Sequence, residues 1–391
     1  ARVFAEGKEP PPWWEQVLWH WYDATDYASN LSNTQLVAYS GEIDPQKASA
    51  DTMEKAMAAE GLKLERLVGP NTGHKYEPET KKVLTQRMAD LAIQGRDPFP
   101  KKVHFTTYTL SYNRMKWIEL TALERHWERA DIDAEITGDR ITIKTRNIAA
   151  FSLARPSEPS PLADVRSVVI DGKALPADWK DGGLQFARTN GMWAAGGPPT
   201  GELVKKNGLN GPIDHAFTNS FIFVKPSGTP LNNTVGGWAK SELERATVEW
   251  RRVFRGEARV KADKEISDED IAKSNLILWG DPSSNAVLAK ILPKLPIKWT
   301  AQAVVFGKKT YPADSHAPVL IFPNPLNPDR YIVLNSGFTF REGATVSNAL
   351  QTPKLPDWAI VDLRVPADDH RPGGIVNAGF FDEHWAVPKT E

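Results

Sequence analysis

The first hundred residues alternate short apolar runs with amphipathic stretches. Residues 13–34 read as an aromatic-rich helix and connector. Gln35-Leu36-Val37-Ala38-Tyr39-Ser40 then reads as a buried strand ending at Gly41, with Asp44-Pro45 in the loop beyond it. Residues 46–60 combine strong helix formers with Met53, Ala56 and Met57 at core spacing, and Gly61 is the expected stop. A second strand over Leu64–Val68, a loop from Gly69 to Gly73 and a helix over Glu79–Ile93 complete the run. Strand, helix, strand, loop, helix is the order of a parallel sheet.

After Pro98 and Pro100 the periodicity changes to two. Residues 103–153 alternate apolar and polar positions as antiparallel strands do, with Thr137-Gly138-Asp139 as a hairpin turn. Val165–Leu175 predicts another hairpin and Gln185-Phe186-Ala187 a strand, before a Gly- and Pro-rich linker over 196–211. From Asn219 the helical period returns between apolar runs. Strands are expected at 221–224, 258–260, 275–279, 319–322 and 331–334, and helices at 239–254, from Ser267 on, and at 284–292. The pattern therefore predicts an α/β chain in four parts: 1–101 around a parallel sheet, 102–211 an antiparallel β module, 212–345 a second, small doubly wound α/β domain, and 346–391 a Pro/Gly-rich tail packed on what precedes it.

Composition narrows the functional classes. With 391 residues, 41% hydrophobic and 25% charged, the chain reads as a multidomain globular protein. A formal charge of -1 removes the simplest argument for nucleic acid, which needs a basic face. The absence of cysteine excludes disulfides, thiolate metal sites and a cysteine nucleophile. No apolar run approaches the ~18 residues of a membrane span. Ala1–Gly7 has neither the apolar core nor the initiator Met of a signal peptide, so the chain is expected to start inside something longer.

The chemistry concentrates on two loops, Ser40-Gly41-Glu42-Ile43-Asp44 and Gly73-His74-Lys75-Tyr76, each following a strand of the expected parallel sheet. Both emerge at the carboxyl edge, where such sheets place their sites. A nucleophilic serine needs a base titrating near neutrality, which histidine supplies, and that histidine needs a carboxylate on its far nitrogen. A strand-end Asp followed by a His after the next strand matches the order Ser, Asp, His of α/β-hydrolases. Asp44 and His74 are thus the candidate catalytic residues, and Gly73 is expected to let the backbone turn the imidazole toward the site. No Gly-x-Ser-x-Gly occurs in the chain, and Ser40, on the acid's own strand end, is a poor substitute.

Other polar clusters read as structural. Gly280–Asn285 lies between a strand and a helix, where a capped turn is favoured over an anion site. His104 and His126, Asp368-Asp369-His370, and Asp382-Glu383-His384 lack a spacing that presents metal ligands on one face, so no metal and no cofactor is expected. Asn30-Leu31-Ser32 and Asn232-Asn233-Thr234 are glycosylation sequons. Trp13-Trp14 and Trp19–Trp21 are expected to pack under the first sheet.

Residues 19–90, with the SGEID and GHKY motifs, resemble the end of the catalytic domain in large bacterial members of the prolyl oligopeptidase family of serine peptidases. HFTTYTLSYNRMKWIEL (104–120), GPIDHAFTNSFIFVKPSGTP (211–230) and PNPLNPDRYIVLNSGFTFRE (323–342) resemble the C-terminal extension of that subgroup. The resemblance implies the C-terminal part of an α/β-hydrolase sheet, with Asp44 as triad acid and His74 as triad base. It also implies a peptide substrate, an upstream serine with its oxyanion hole, and export to the periplasm or cell exterior. The expected function is hydrolysis of peptide or ester bonds through a serine upstream of this chain, which alone would be inactive. The competing expectation is a non-catalytic binding or assembly module, partnered by the absent N-terminal half or by a second copy.

Overall fold

The computed structural model describes residues 10–154, 160–180, 183–198, 203–341 and 351–388. Ala1–Gly7, part of the 196–211 linker, Glu342 and the start of the expected tail lie outside the described residues. The fold is mixed α/β. Contacts divide the chain into two compact units, one of Asp23–Thr200 and one of the segment up to Tyr22 with the residues from Gly201 on. The boundaries differ from the four-part reading. Helix α1 (Trp13–Leu18) belongs with the later residues, and the first parallel element belongs with the β module.

In the Asp23–Thr200 unit, β1 (Val37–Gly41) and β2 (Glu65–Gly69) pair in parallel, joined by α2 (Lys47–Ala59). Helix α3 (Pro78–Gln94) follows β2, with Pro78 at its first turn and the Glu77 carboxylate capping the amides of Glu79 and Thr80. Met57 and Leu64 are buried with Ala28, and Ala38, Met53 and Ala56 pack around them. This is the core that the helical spacing of 46–60 anticipates.

The β module is two five-stranded sheets sharing one core. One runs Lys173–Pro176, Ser167–Ile170, Arg140–Arg146, Ala130–Thr137 and β3 (Lys102–Thr107); the other Met192–Ala195, Leu184–Thr189, Ile148–Leu153, Ile118–Leu123 and Arg114–Met115. Alternate residues of both, such as Phe105, Ile132 and Ile143 against Leu120, Phe151 and Phe186, meet in that core. The turn at 137–139 forms as the pattern requires, with Gly138 at φ 59°.

β3 is an edge strand, and its edge is covered by side chains imitating a strand. The Asn30 carboxamide donates to the Thr106 carbonyl at 2.8 Å and accepts from the Thr106 amide at 2.7 Å. Asn33 does the same at His104, donating at 2.5 Å and accepting at 3.2 Å. Edge protection of this kind removes a template for aggregation. It also commits the Asn30 side-chain nitrogen, the atom a glycan would need. Beside it, Ser29 Oγ donates to Thr106 Oγ1, which donates to Asp131, and the Arg129 guanidinium spans Asp131 and Glu60. This relay, buried at Ser29 and Thr106 and half-buried at Arg129 and Glu60, ties the end of α2 to the sandwich.

The other unit carries a seven-stranded sheet ordered Val260–Ala262, Phe221–Lys225, Asn275–Leu278, Asn327–Leu334, His316–Asn324, Trp358–Asp362, Gly374–Gly379. The first four strands are parallel and the rest antiparallel, which departs from a doubly wound sheet. The expected tail supplies two of those strands. Trp358–Asp362 is buried throughout, an apolar run whose neighbours Pro356 and Pro366 hid it in a Pro-rich background. A small antiparallel sheet of Ile297–Trp299, Ala303–Phe306 and Lys309–Pro312 lies where no strand was anticipated. Helix α4 (Asn233–Phe254) places Glu242 in a buried bidentate pair with Arg341 at 2.6 and 3.1 Å. The tryptophans also correct the reading. Trp13 stacks edge-on with Phe380, Trp14 Nε1 donates to the Lys354 carbonyl, and Trp21 packs on His215, all in this unit and not under the parallel pair.

The edge cover on β3 predicts that Asn30→Ala, which strips partners from both Thr106 backbone groups, lowers stability by about 1–3 kcal/mol. Urea unfolding of the variant measures this, and a loss below about 0.5 kcal/mol would refute the role given to Asn30.

Candidate functional site

The register of the parallel pair sets Ser40 opposite Val68 and Gly41 opposite Gly69, so both strands stop at one edge. Beyond that edge the two loops are stitched together by their backbones. The Glu42 amide donates to the Gly69 carbonyl at 2.9 Å, the Ile43 amide to Thr72 at 3.2 Å, and the Asn71 amide to the Glu42 carboxylate at 2.8 Å. Tyr39 Oη donates to the Lys75 carbonyl and accepts from the Glu77 amide, fixing the far end of the second loop.

This closeness requires glycine at 41. A Cβ there would lie 2.1 Å from the Thr72 carbonyl oxygen and 2.3 Å from that of Gly73. Gly69 is similarly confined by the Tyr39 hydroxyl and the Glu77 side chain. Gly73 was the expected pivot, yet a Cβ on it meets nothing within 4 Å and its φ is not positive. The chain turns instead at Asn71, in the left-handed region at φ 49°, which asparagine tolerates.

The loops bring Asp44 and His74 together. Asp44 Oδ2 lies 2.9 Å from His74 Nδ1, while Oδ1 accepts from the Gln46 amide at 2.9 Å. The Asp44 side chain is 8% exposed and that of His74 73%. The Gln46 amide first, and then the imidazole, hold the Asp44 carboxyl below the usual carboxylate range. A carboxylate at Nδ1 favours the tautomer with its proton there and leaves the Nε2 lone pair outward. Among the described residues no hydrogen bond engages Nε2. Such a pair can accept a proton from a hydroxyl presented to Nε2. Ser40 is poorly placed for that role, because it is buried and its hydroxyl accepts from Arg66, itself held by Asp51 and Glu54.

Glu42, Gln46 and Tyr39 complete the loop scaffold and were not singled out from the sequence. Only the carboxylate of Glu42, just past a strand end, gave a usable signal. The other polar clusters serve local structure. His104 pairs with Asp133, which raises the imidazole pKa. His126 Nε2 accepts from the Leu110 amide, while Asp368 and Asp382 accept the amides of His370 and His384 in turns. At Gly280–Asn285, Asp281 accepts from Ser283, Ser284 and Leu231, and Asn285 caps the helix Ala286–Ile291, which is a capped turn. The second sequon is also committed, Asn232 Nδ2 donating to Ala313 at 2.9 Å. Among the described residues no group of three or more His, Asp or Glu is arranged to hold a metal ion, and no helix is long and apolar enough to cross a membrane.

Two outcomes follow from this geometry. Gly41→Ala should cost about 1–3 kcal/mol of stability, the range for overpacking a tight contact, whereas Gly73→Ala should stay within about 0.5 kcal/mol. Equal effects in urea unfolding would contradict the assignment of the close approach to Gly41. Because the Asp44 pKa is depressed, its contribution to loop order is present above the unfolded-state carboxylate pKa and is lost as pH falls through the folded value. Side-chain carbon NMR should therefore place the Asp44 midpoint below that of an exposed aspartate. In His74→Ala the midpoint should rise only part of the way, since the Gln46 amide remains. An Asp44 midpoint at or above the ordinary value would overturn the account.

No protein-family model, no curated protein and no solved structure matches this chain.

Proposed function

We propose that Asp44 and His74 are the acid and base of a serine hydrolase that cleaves peptide or ester bonds, the nucleophilic serine lying outside these 391 residues. The observation that carries this reading is the 2.9 Å contact between Asp44 Oδ2 and His74 Nδ1, with the opposite ring nitrogen unengaged at the rim of a parallel pair. In the proposed cycle His74 Nε2 takes the serine proton as the hydroxyl attacks the carbonyl carbon, then gives it to the leaving group. Asp44 holds the imidazole in orientation and stabilises its charged form. Water deacylates the enzyme by the same route.

The surroundings of the pair favour a missing complement. β1 pairs with β2 alone among the described residues, although parallel sheets are ordinarily wider and covered on both faces. Helix α3 buries only Leu84, leaving Val83, Met88 and Ile93 exposed at 55%, 60% and 85%. A segment adding a strand beside β1 and carrying the serine would widen the sheet, and further chain over α3 would cover its exposed apolar residues. Membership of the prolyl oligopeptidase family, an α/β-hydrolase sheet, a peptide substrate and export belong to the same proposal, carried by the SGEID and GHKY motifs. The second reading is a binding or assembly module, favoured by the same uncovered α3 surface.

The test is labelling with a fluorophosphonate probe. A form of the protein that includes the serine should label, His74→Ala should slow labelling by about 10⁴-fold or more, and Asp44→Asn by about 10⁴-fold. Unchanged labelling in His74→Ala would remove that residue from the mechanism. A strictly monomeric, unlabelled protein would count against both readings.

A further inference from the structure

In the unit formed by the segment up to Tyr22 and the residues from Gly201 on, a cavity of about 570 Å³ opens between helix α1 and the end of the large sheet. That volume lies within the range of small-molecule sites, about 300–1,000 Å³. Two polar contacts hold the walls. Trp14 Nε1 donates to the Lys354 carbonyl at 3.2 Å, and Lys354 Nζ pairs with Glu15 at 2.8 Å, both side chains about one-seventh exposed. Thr339, also in the lining, accepts from the Lys354 amide at 2.7 Å and donates to the Asp214 carboxylate, which fixes this part of the wall.

The lining is divided by chemistry. Pro12, Trp14, Leu355 and Ile375 supply an apolar part. Lys354 and Arg371 supply positive charge, and Lys354 engages the Glu15 carboxylate. Arg371 is therefore the lining cation that Glu15 does not engage, and it shares the lining with the apolar residues. An arginine in such a lining suits a carboxylate, whose two oxygens match the guanidinium fork.

We propose that this cavity binds a small organic carboxylate with an apolar body, Arg371 taking the carboxylate and the slot lined by Trp14, Leu355 and Ile375 taking the body. The inference is independent of Asp44 and His74. Isothermal titration of the full chain with 3-phenylpropionate and with its neutral analogue 3-phenylpropanamide tests it. The carboxylate should bind at least tenfold more tightly than the amide. Arg371→Gln, at an exposed position, should weaken the carboxylate at least tenfold without affecting the amide. Ile375→Trp, which fills the slot, should abolish binding of both, and His74→Ala should leave both unchanged. Circular dichroism confirms that each variant is folded. Equal affinity for the two compounds, no heat with either, or wild-type binding by Arg371→Gln would overturn the proposal.

Discussion

The contact on which the candidate site depends is between backbones: the Cα of Gly41 lies against the carbonyls of Thr72 and Gly73 with no room for a side chain. Parallel pairing delivers two chain segments to one edge, but it does not press the loops beyond that edge together. The missing side chain at 41 does so, and three loop-to-loop hydrogen bonds from Glu42, Ile43 and Asn71 then lock the arrangement. Asp44 and His74 meet because their backbones are already fixed, so little side-chain ordering remains to oppose their hydrogen bond.

The same principle recurs in the sandwich. Asn30 and Asn33 act as surrogate strands along β3, and the Ser29–Thr106–Asp131–Arg129–Glu60 relay joins the helical layer to the sheet through linked, buried and half-buried polar groups. The element bearing the dyad is thus held from below by polar bonds and carries only a small apolar core of its own. Its open β1 edge and uncovered α3 make it the least self-sufficient part of its unit.

Much of this was legible in residue order. The strand–helix–strand grammar of 35–68, the alternation across 103–153 and the nearness of residues 44 and 74 all follow from periodicity and spacing. What was not legible depended on contacts remote in sequence. Gly41 and Gly73 look alike in the chain, and only the approach of the second loop shows which one is indispensable. Asn30 reads as a sequon until β3 lies beside it. Trp13 and Trp14 lie close in sequence to the first sheet, yet their partners are Phe380 and Lys354, more than three hundred residues away. The buried strand at 358–362 was obscured by its prolines because composition averages over a window wider than the strand.

The central claim is that Asp44 holds His74 in the tautomer a general base requires. Long-range proton–nitrogen NMR of the ¹⁵N-labelled chain, with His74→Ala to assign the ring, reads this directly. The account predicts that the neutral form of the ring carries its proton on Nδ1 and is bare at Nε2, a tautomer that Asp44→Asn should disturb. A proton resident on Nε2, unaffected by that substitution, would contradict it.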